Sequence, residues 1–191
     1  MRRMIPVWDL AVRVLHWTLV LSVATAWLTR HSPGHWHEWL GYTALAIVVT
    51  RTLWGFIGSP HARFADFIRS ASVTAAYGRD VLSAREARFL GHNPLGGWMV
   101  VMLLTMVALV GGTGWLYTTN RFWGVDWVEE LHETLSNILF GFVALHIVGV
   151  VFTSIRHREN LPGAMLHGRK RCEDAHGQMK IERGVHAPRE N

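Results

Sequence analysis

HETLSNILFGFVALH, residues 132–146, begins and ends on histidine and belongs to an apolar stretch that runs from Leu135 to Ile155 behind an acidic lead-in. On an α-helix, the fourteen residues from His132 to His146 rise roughly 21 Å and return to within about 40° of the starting face. Both imidazoles therefore leave one helix in the same direction at two well-separated depths.

Three further stretches share that apolar character. With the first, they give four segments, at roughly 10–28, 38–57, 97–118 and 134–155, each long enough to cross about 30 Å of hydrocarbon. Half of the 191 residues are hydrophobic, only 17% are charged, and ten are tryptophan. A soluble helical protein is the competing reading, and the tryptophan positions weigh against it. Trp8, Trp27, Trp36, Trp39, Trp54, Trp98, Trp115, Trp123 and Trp127 fall at segment ends, where amphipathic rings favour the headgroup layer. The expected fold is an all-α membrane protein, a four-helix transmembrane bundle occupying residues 1–156.

Charge orients the bundle. Arg2, Arg3 and Arg13 lie at the start, Arg63, Arg69, Arg79, Arg85 and Arg88 in the loop 58–93, and eight more Lys and Arg beyond residue 155. The other two connections hold only Arg30 and Arg121. The positive-inside rule puts both termini and the loop 58–93 in the cytoplasm, with the connections 29–36 and 119–131 outside. Anionic lipid answers the net charge of +5, so no nucleic-acid partner is called for. Ala24-Thr25-Ala26 imitates a signal-peptide cleavage site, but Asp9, Arg13 and His16 suit a retained helix better than a disposable one. A surface helix over Ser70 to Leu90 is expected against the headgroups, and residues 157–191 read as a mobile basic tail. Cys172 is the lone cysteine and is expected to be a free thiol in a reducing compartment.

Depth then sorts the histidines. His16 lies about eight residues inside the cytoplasmic start of the first segment, and His146 about ten inside the cytoplasmic end of the fourth. His37 opens the second segment on the outer side, where His132 opens the fourth. Two cross-helix pairs result, His16 with His146 and His37 with His132. Ionisable groups inside a bilayer are costly and usually functional, and imidazole is a good ligand for iron. Each pair suits one haem iron held from both axial sides. For any one histidine the blander reading is a hydrogen-bonded bundle residue, and matching of the depths argues against it for the set. No Cys-x-x-Cys-His is present, so the haems are expected to be non-covalent. His35 and His31 are competitors for the outer iron; a solvated loop accounts for both.

Several short motifs accompany these histidines. They are Val7-Trp8-Asp9 with Arg13 and His16-Trp17, His37 four residues before Gly41, Arg51 with Trp54-Gly55-Phe56, Ala62-Arg63-Phe64, and Gly91-His92-Asn93-Pro94-Leu95-Gly96-Gly97-Trp98. In this order, over roughly residues 5 to 168, the sequence resembles the bacterial di-haem cytochrome b561 family, which also takes in the b-type cytochrome subunits of Ni/Fe-hydrogenases. The resemblance implies a four-helix cytochrome with two bis-histidine b haems on His16, His37, His132 and His146. It also supports His37 over His35, because the family's ligand stands four before a glycine.

Arg51, fourteen residues after His37, is expected at the depth of His16 and His146, where a haem propionate would neutralise it. Arg13, one turn from His16, either does the same or snorkels to lipid phosphate. The glycines Gly41, Gly55, Gly111, Gly112, Gly114, Gly141 and Gly149 suit close helix packing and equally a flat porphyrin. Iron with both axial positions filled favours outer-sphere electron transfer. The leading expectation is transfer between quinone or quinol in the membrane and an extracytoplasmic partner such as a periplasmic cytochrome c, with Glu38, Asp126, Glu129, Glu130 and Glu133 near the outer face. Membership of a larger hydrogenase or reductase complex is a further expectation. Two rivals are a superoxide oxidase reducing ubiquinone, allowed by the resemblance, and a haem-free membrane scaffold.

Overall fold

The acidic lead-in to the fourth apolar segment is itself helical. Asp126, Glu129, Glu130 and Glu133 form the first turns of a helix that runs unbroken to Arg156, because carboxylates favour the positive end of a helix dipole even though hydropathy does not register them. In the computed structural model, which describes residues 3–172, the elements follow as β1 (Arg3–Pro6), α1 (Leu10–Leu28), α2 (Trp36–Ile57), α3 (Phe64–Phe67), α4 (Ala71–Leu82), α5 (Pro94–Tyr117), α6 (Asp126–Arg156), α7 (Leu161–His167) and β2 (Arg169–Cys172). Four of them, α1, α2, α5 and α6, are long and apolar enough to cross a membrane. At 31 residues α6 is about 46 Å long, so it projects beyond the hydrocarbon. His132 accordingly sits inside α6, and not at its opening as the hydropathy pattern suggested.

The bundle is all-α. Helix α1 packs on α2, α2 on α5 and α5 on α6, while α6 and α1 meet less closely along the fourth side. Ala44 and Val48 of α2, Val107 of α5 and Leu139 of α6 make the buried core, with Leu19 and Val23 of α1 against it. The outward faces are apolar: Leu145, Ile147, Val148, Phe152 and Ile155 of α6 are exposed, as lipid-facing side chains are. We refer to the end carrying β1, β2 and residues 58–93 as the basic end, and to the other as the acidic end. At the acidic end Trp36, Trp39, Trp115, Trp123 and Trp127 are exposed, as expected of headgroup residues. Three other tryptophans expected there serve the interior instead. The Trp27 ring lies 3.9 Å from that of Phe140, Trp8 packs on His92, and Trp54 donates to Asp9.

The basic end is closed by residues that hydropathy treated as tail. Asn160 caps α7 by accepting from Gly163 N–H at 2.8 Å, and Gly168, at φ +78°, turns the chain back. Strand β2 then pairs antiparallel with β1, Ile5 opposite Lys170, and Gly168 accepts from the Val7 and Trp8 N–H groups at 2.8 and 3.1 Å. The folded chain thus continues past residue 156 to Cys172, anchored by backbone hydrogen bonds that leave no periodic signature in sequence. Residues 173–191 of the expected tail, and the side chain of Cys172, lie outside the described residues. The surface helix expected at 70–90 is the shorter α4, capped by Ser70 and ended after Leu82.

Candidate functional site

The sequence around His16 is fixed to the basic end by Asp9. Its Oδ1 caps α1 by accepting from Val12 N–H at 2.7 Å, and its Oδ2 accepts from Trp54 Nε1 at 3.1 Å and from Ser59 Oγ. Burial alone would raise this carboxyl, but those hydrogen bonds and the charge of Arg51 outweigh it and hold Asp9 below the usual carboxylate range. One residue therefore joins the start of α1 to the end of α2. The aromatic step beside it uses Gly55, where a Cβ would come within 2.2 Å of the Phe64 ring, and Gly97, where one would come within 2.7 Å of the Phe67 carbonyl oxygen. Asn93 accepts from Gly96 N–H at 2.6 Å and Pro94 occupies the first turn of α5.

At the acidic end the rings of His37 and His132 lie 6.0 Å apart between centres, with planes at 86°. His37 Nδ1 donates to the Ala26 carbonyl of α1 at 2.9 Å, and His132 Nδ1 to the Val110 carbonyl of α5 at 3.0 Å, with Thr113 Oγ1 3.2 Å away. A carbonyl only accepts, so each Nδ1 carries the proton and each Nε2 keeps its lone pair. No hydrogen bond to either Nε2 is formed among the described residues. Gly114 lets His132 approach α5 this closely, since a Cβ there would stand 3.0 Å from His132 Cε1. His35, by contrast, is exposed, stands just before α2 and pairs with Glu38 at 3.1 Å; His31 is exposed too.

His16 and His146 are half-buried and within electrostatic reach of one another across the looser α1–α6 side. Arg51 is buried at 7% exposure: Nη2 donates to the Ala62 carbonyl at 3.1 Å, and Nη1 is buried without a partner. Arg13 is occupied elsewhere, donating through Nε to the Asp9 carbonyl at 3.3 Å and through Nη1 to that of Leu166. Trp17 Nε1 donates to Met165 O at 3.3 Å, so Arg13 and Trp17, one on each side of His16 in sequence, hold α7. His92, which the sequence presented only as part of a motif, lies between the rings of Trp8 and Phe67 at 4.6 and 4.7 Å. Burial, followed by the positive charge of Arg51, pushes its imidazole down to about 3, so it is neutral near pH 7.

These residues pass a test of fit for an axially ligated metal. With an imidazole–metal bond of about 2.0–2.1 Å, two imidazoles facing across one ion have ring centres about 6.3 to 6.5 Å apart, and the His37–His132 spacing of 6.0 Å is within a few tenths of an ångström of that. Ligating imidazoles commonly donate their second nitrogen to a carbonyl, as both of these do. A Cβ at Gly41, Gly112, Gly141 or Gly149 would meet nothing within 4 Å, so helix packing does not require these glycines, whereas Gly55, Gly111 and Gly114 do face close neighbours.

Compared with known proteins, residues 7–168 match the family described as prokaryotic cytochrome b561. No curated protein and no solved structure matches the chain.

Proposed function

The chain belongs to the prokaryotic cytochrome b561 family, multi-pass proteins of the bacterial inner membrane that transfer electrons through b-type haem, and from that premise we propose a di-haem cytochrome linking the quinone pool to an extracytoplasmic partner. The observation that carries this reading is the His37–His132 pair, spaced at 6.0 Å with both Nδ1 atoms tied to carbonyls. These two residues would hold one haem and His16 with His146 the other, with Arg51 beside the second. Bound in this way, haem supplies an iron that changes by one electron without an open coordination position, which suits outer-sphere transfer.

The chain contributes position and insulation. Carbonyls of α1 and α5 fix the outer imidazoles in one tautomer, which removes the need to reorient them when the iron changes charge. The core of Ala44, Val48, Val107 and Leu139 keeps water from the space between the two levels. By the positive-inside rule the basic end faces the cytoplasm and the His37–His132 level faces outward. Arg13, engaged with Asp9 and Leu166, we assign to anchoring α7 and not to haem. The carboxylates of Asp126, Glu129, Glu130 and Glu133 suit a basic partner, such as a periplasmic cytochrome c, and disfavour an anion such as superoxide. The test is electron transfer by protein reconstituted in liposomes with a quinol analogue. Reduction of the haem by quinol, followed by reoxidation from outside by a basic c-type cytochrome, is the expected result; failure of quinol to reduce it contradicts the proposal.

A further inference from the structure

Two polar atoms near the His16–His146 level are buried without a partner, and they come from different elements. One is Nη1 of Arg51, in a residue 7% exposed; the other is Nδ1 of His92, in the turn before α5. An aromatic row joins them: the Arg51 guanidinium lies 5.6 Å from the centre of the Phe64 ring, Phe64 lies 5.7 Å from Phe67, and Phe67 lies 4.7 Å from His92. His92 is also within electrostatic reach of both Arg51 and His146. A buried donor without an acceptor is costly, and a buried cation without an anion more so.

The nearby carboxylates are already committed. Asp9 accepts from Val12, Trp54 and Ser59, and Glu159 pairs with Arg88 and with Lys170 at 3.4 Å. Asp9 is within electrostatic reach of Arg51, yet neither Arg51 Nη1 nor His92 Nδ1 has an acceptor, and a negatively charged group from outside the polypeptide would satisfy both.

We propose that Arg51 and His92 form a clamp for one carboxylate of the basic-end haem, with Arg51 Nη1 and His92 Nδ1–H both donating to a propionate. This rests on the reading that a haem occupies the His16–His146 level. A guanidinium and a carboxylate form a strong charge-assisted hydrogen bond, and the neutral imidazole adds a donor without adding charge. The acidic end is built differently. Arg30 there lies 4.3 Å over the Trp27 ring and donates to the Trp27 carbonyl, and Arg121 lies 5.6 Å from the Phe122 ring. Among the described residues, only the basic-end haem would thus have its propionate charge offset by the buried Arg51, which favours electron addition there.

Redox titration and resonance Raman spectra of the purified holoprotein test the clamp. In Arg51→Gln, the reduction equilibrium of one haem moves about tenfold toward the oxidised form, equivalent to about 59 mV for a one-electron couple. The propionate bending band of the same haem moves with it. The haem that disappears in His37→Ala is unaffected. Arg51→Lys, which keeps the charge but not the fork, recovers the potential better than the band position, and His92→Leu moves the band with both haems retained. Wild-type potentials and bands in both Arg51→Gln and His92→Leu overturn the clamp, as does a shift confined to the His37–His132 haem. Should Arg51→Gln fail to accumulate for want of its Ala62 contact, an unchanged band in His92→Leu overturns it alone. A wild-type protein with two haems and silent variants disproves only the clamp; a wild-type protein without haem disproves the functional reading as well.

Discussion

The two histidine levels are held in place by different means. At the acidic end His37 and His132 are tied to main-chain carbonyls of adjoining helices, Ala26 and Val110, so the helix backbone itself sets their tautomer and direction. At the basic end the positions of His16 and His146 depend on long-range closure: Asp9 joins α1 to α2, while α7 and β2 return from beyond residue 156 to hold Arg13, Trp17 and β1. Anchoring to neighbouring membrane helices makes the first level independent of the closure by α7 and β2. Tertiary anchoring makes the second level sensitive to residues far from it in sequence. Each of the following variants should therefore disturb one level and spare the other.

The largest effect is expected from the ligands themselves. His37→Ala and His132→Ala should each leave one haem per polypeptide where the wild type has two, by pyridine haemochrome assay, whereas His35→Ala, whose ring pairs with Glu38, should retain both. Bulk placed at the glycines comes next. Gly41 has open space around it, so Gly41→Leu should fold with unchanged helix content by circular dichroism yet bind the outer haem poorly. Gly114→Ala forces His132 to yield to a Cβ 3.0 Å from its ring, and about 1–3 kcal/mol of overpacking would weaken outer-haem retention by roughly 5- to 150-fold.

Ending the chain after Asn160 should do the reverse. It removes the acceptors of Arg13 and Trp17 and the partner of β1, at about 0.5–1.5 kcal/mol for each hydrogen bond lost. The basic-end haem should then be reduced faster by dithionite on rapid mixing, as the water-soluble reductant gains access, with the outer haem unaltered. Asp9→Ala, losing a helix cap, should cost about 1 kcal/mol in thermal denaturation. Because the Asp9 carboxyl is held below its ordinary value, its contribution is complete above that value and is lost as pH falls through the lower folded one. Asp9→Asn should accordingly flatten the acid limb of the stability profile.

Much of this was legible in the sequence, because a bilayer imposes length and polarity on whatever crosses it. Helix α1 begins and ends where hydropathy placed it, and Trp36 opens α2, leaving His37 in the helix and His35 outside. The early start of α6 was hidden because its first turns are acidic and hydropathy marks only the apolar part. The β1–β2 pairing was hidden for another reason: four-residue strands 166 positions apart carry no pattern that connects them. His92 was visible as a letter in a motif, but its lack of a partner emerges only when Trp8, from the other end of the sequence, packs against it. Gly41 and Gly114 read alike as small residues; only the packing separates a glycine beside open space from one that admits a histidine.

The most direct measurement is haem stoichiometry on the purified, full-length chain, combined with low-temperature EPR of the oxidised protein. Two haems per polypeptide, both low-spin and giving two distinguishable signals, is the result expected from ligation at His16–His146 and His37–His132. A single haem, or a high-spin signal from an iron with an open axial position, would contradict it.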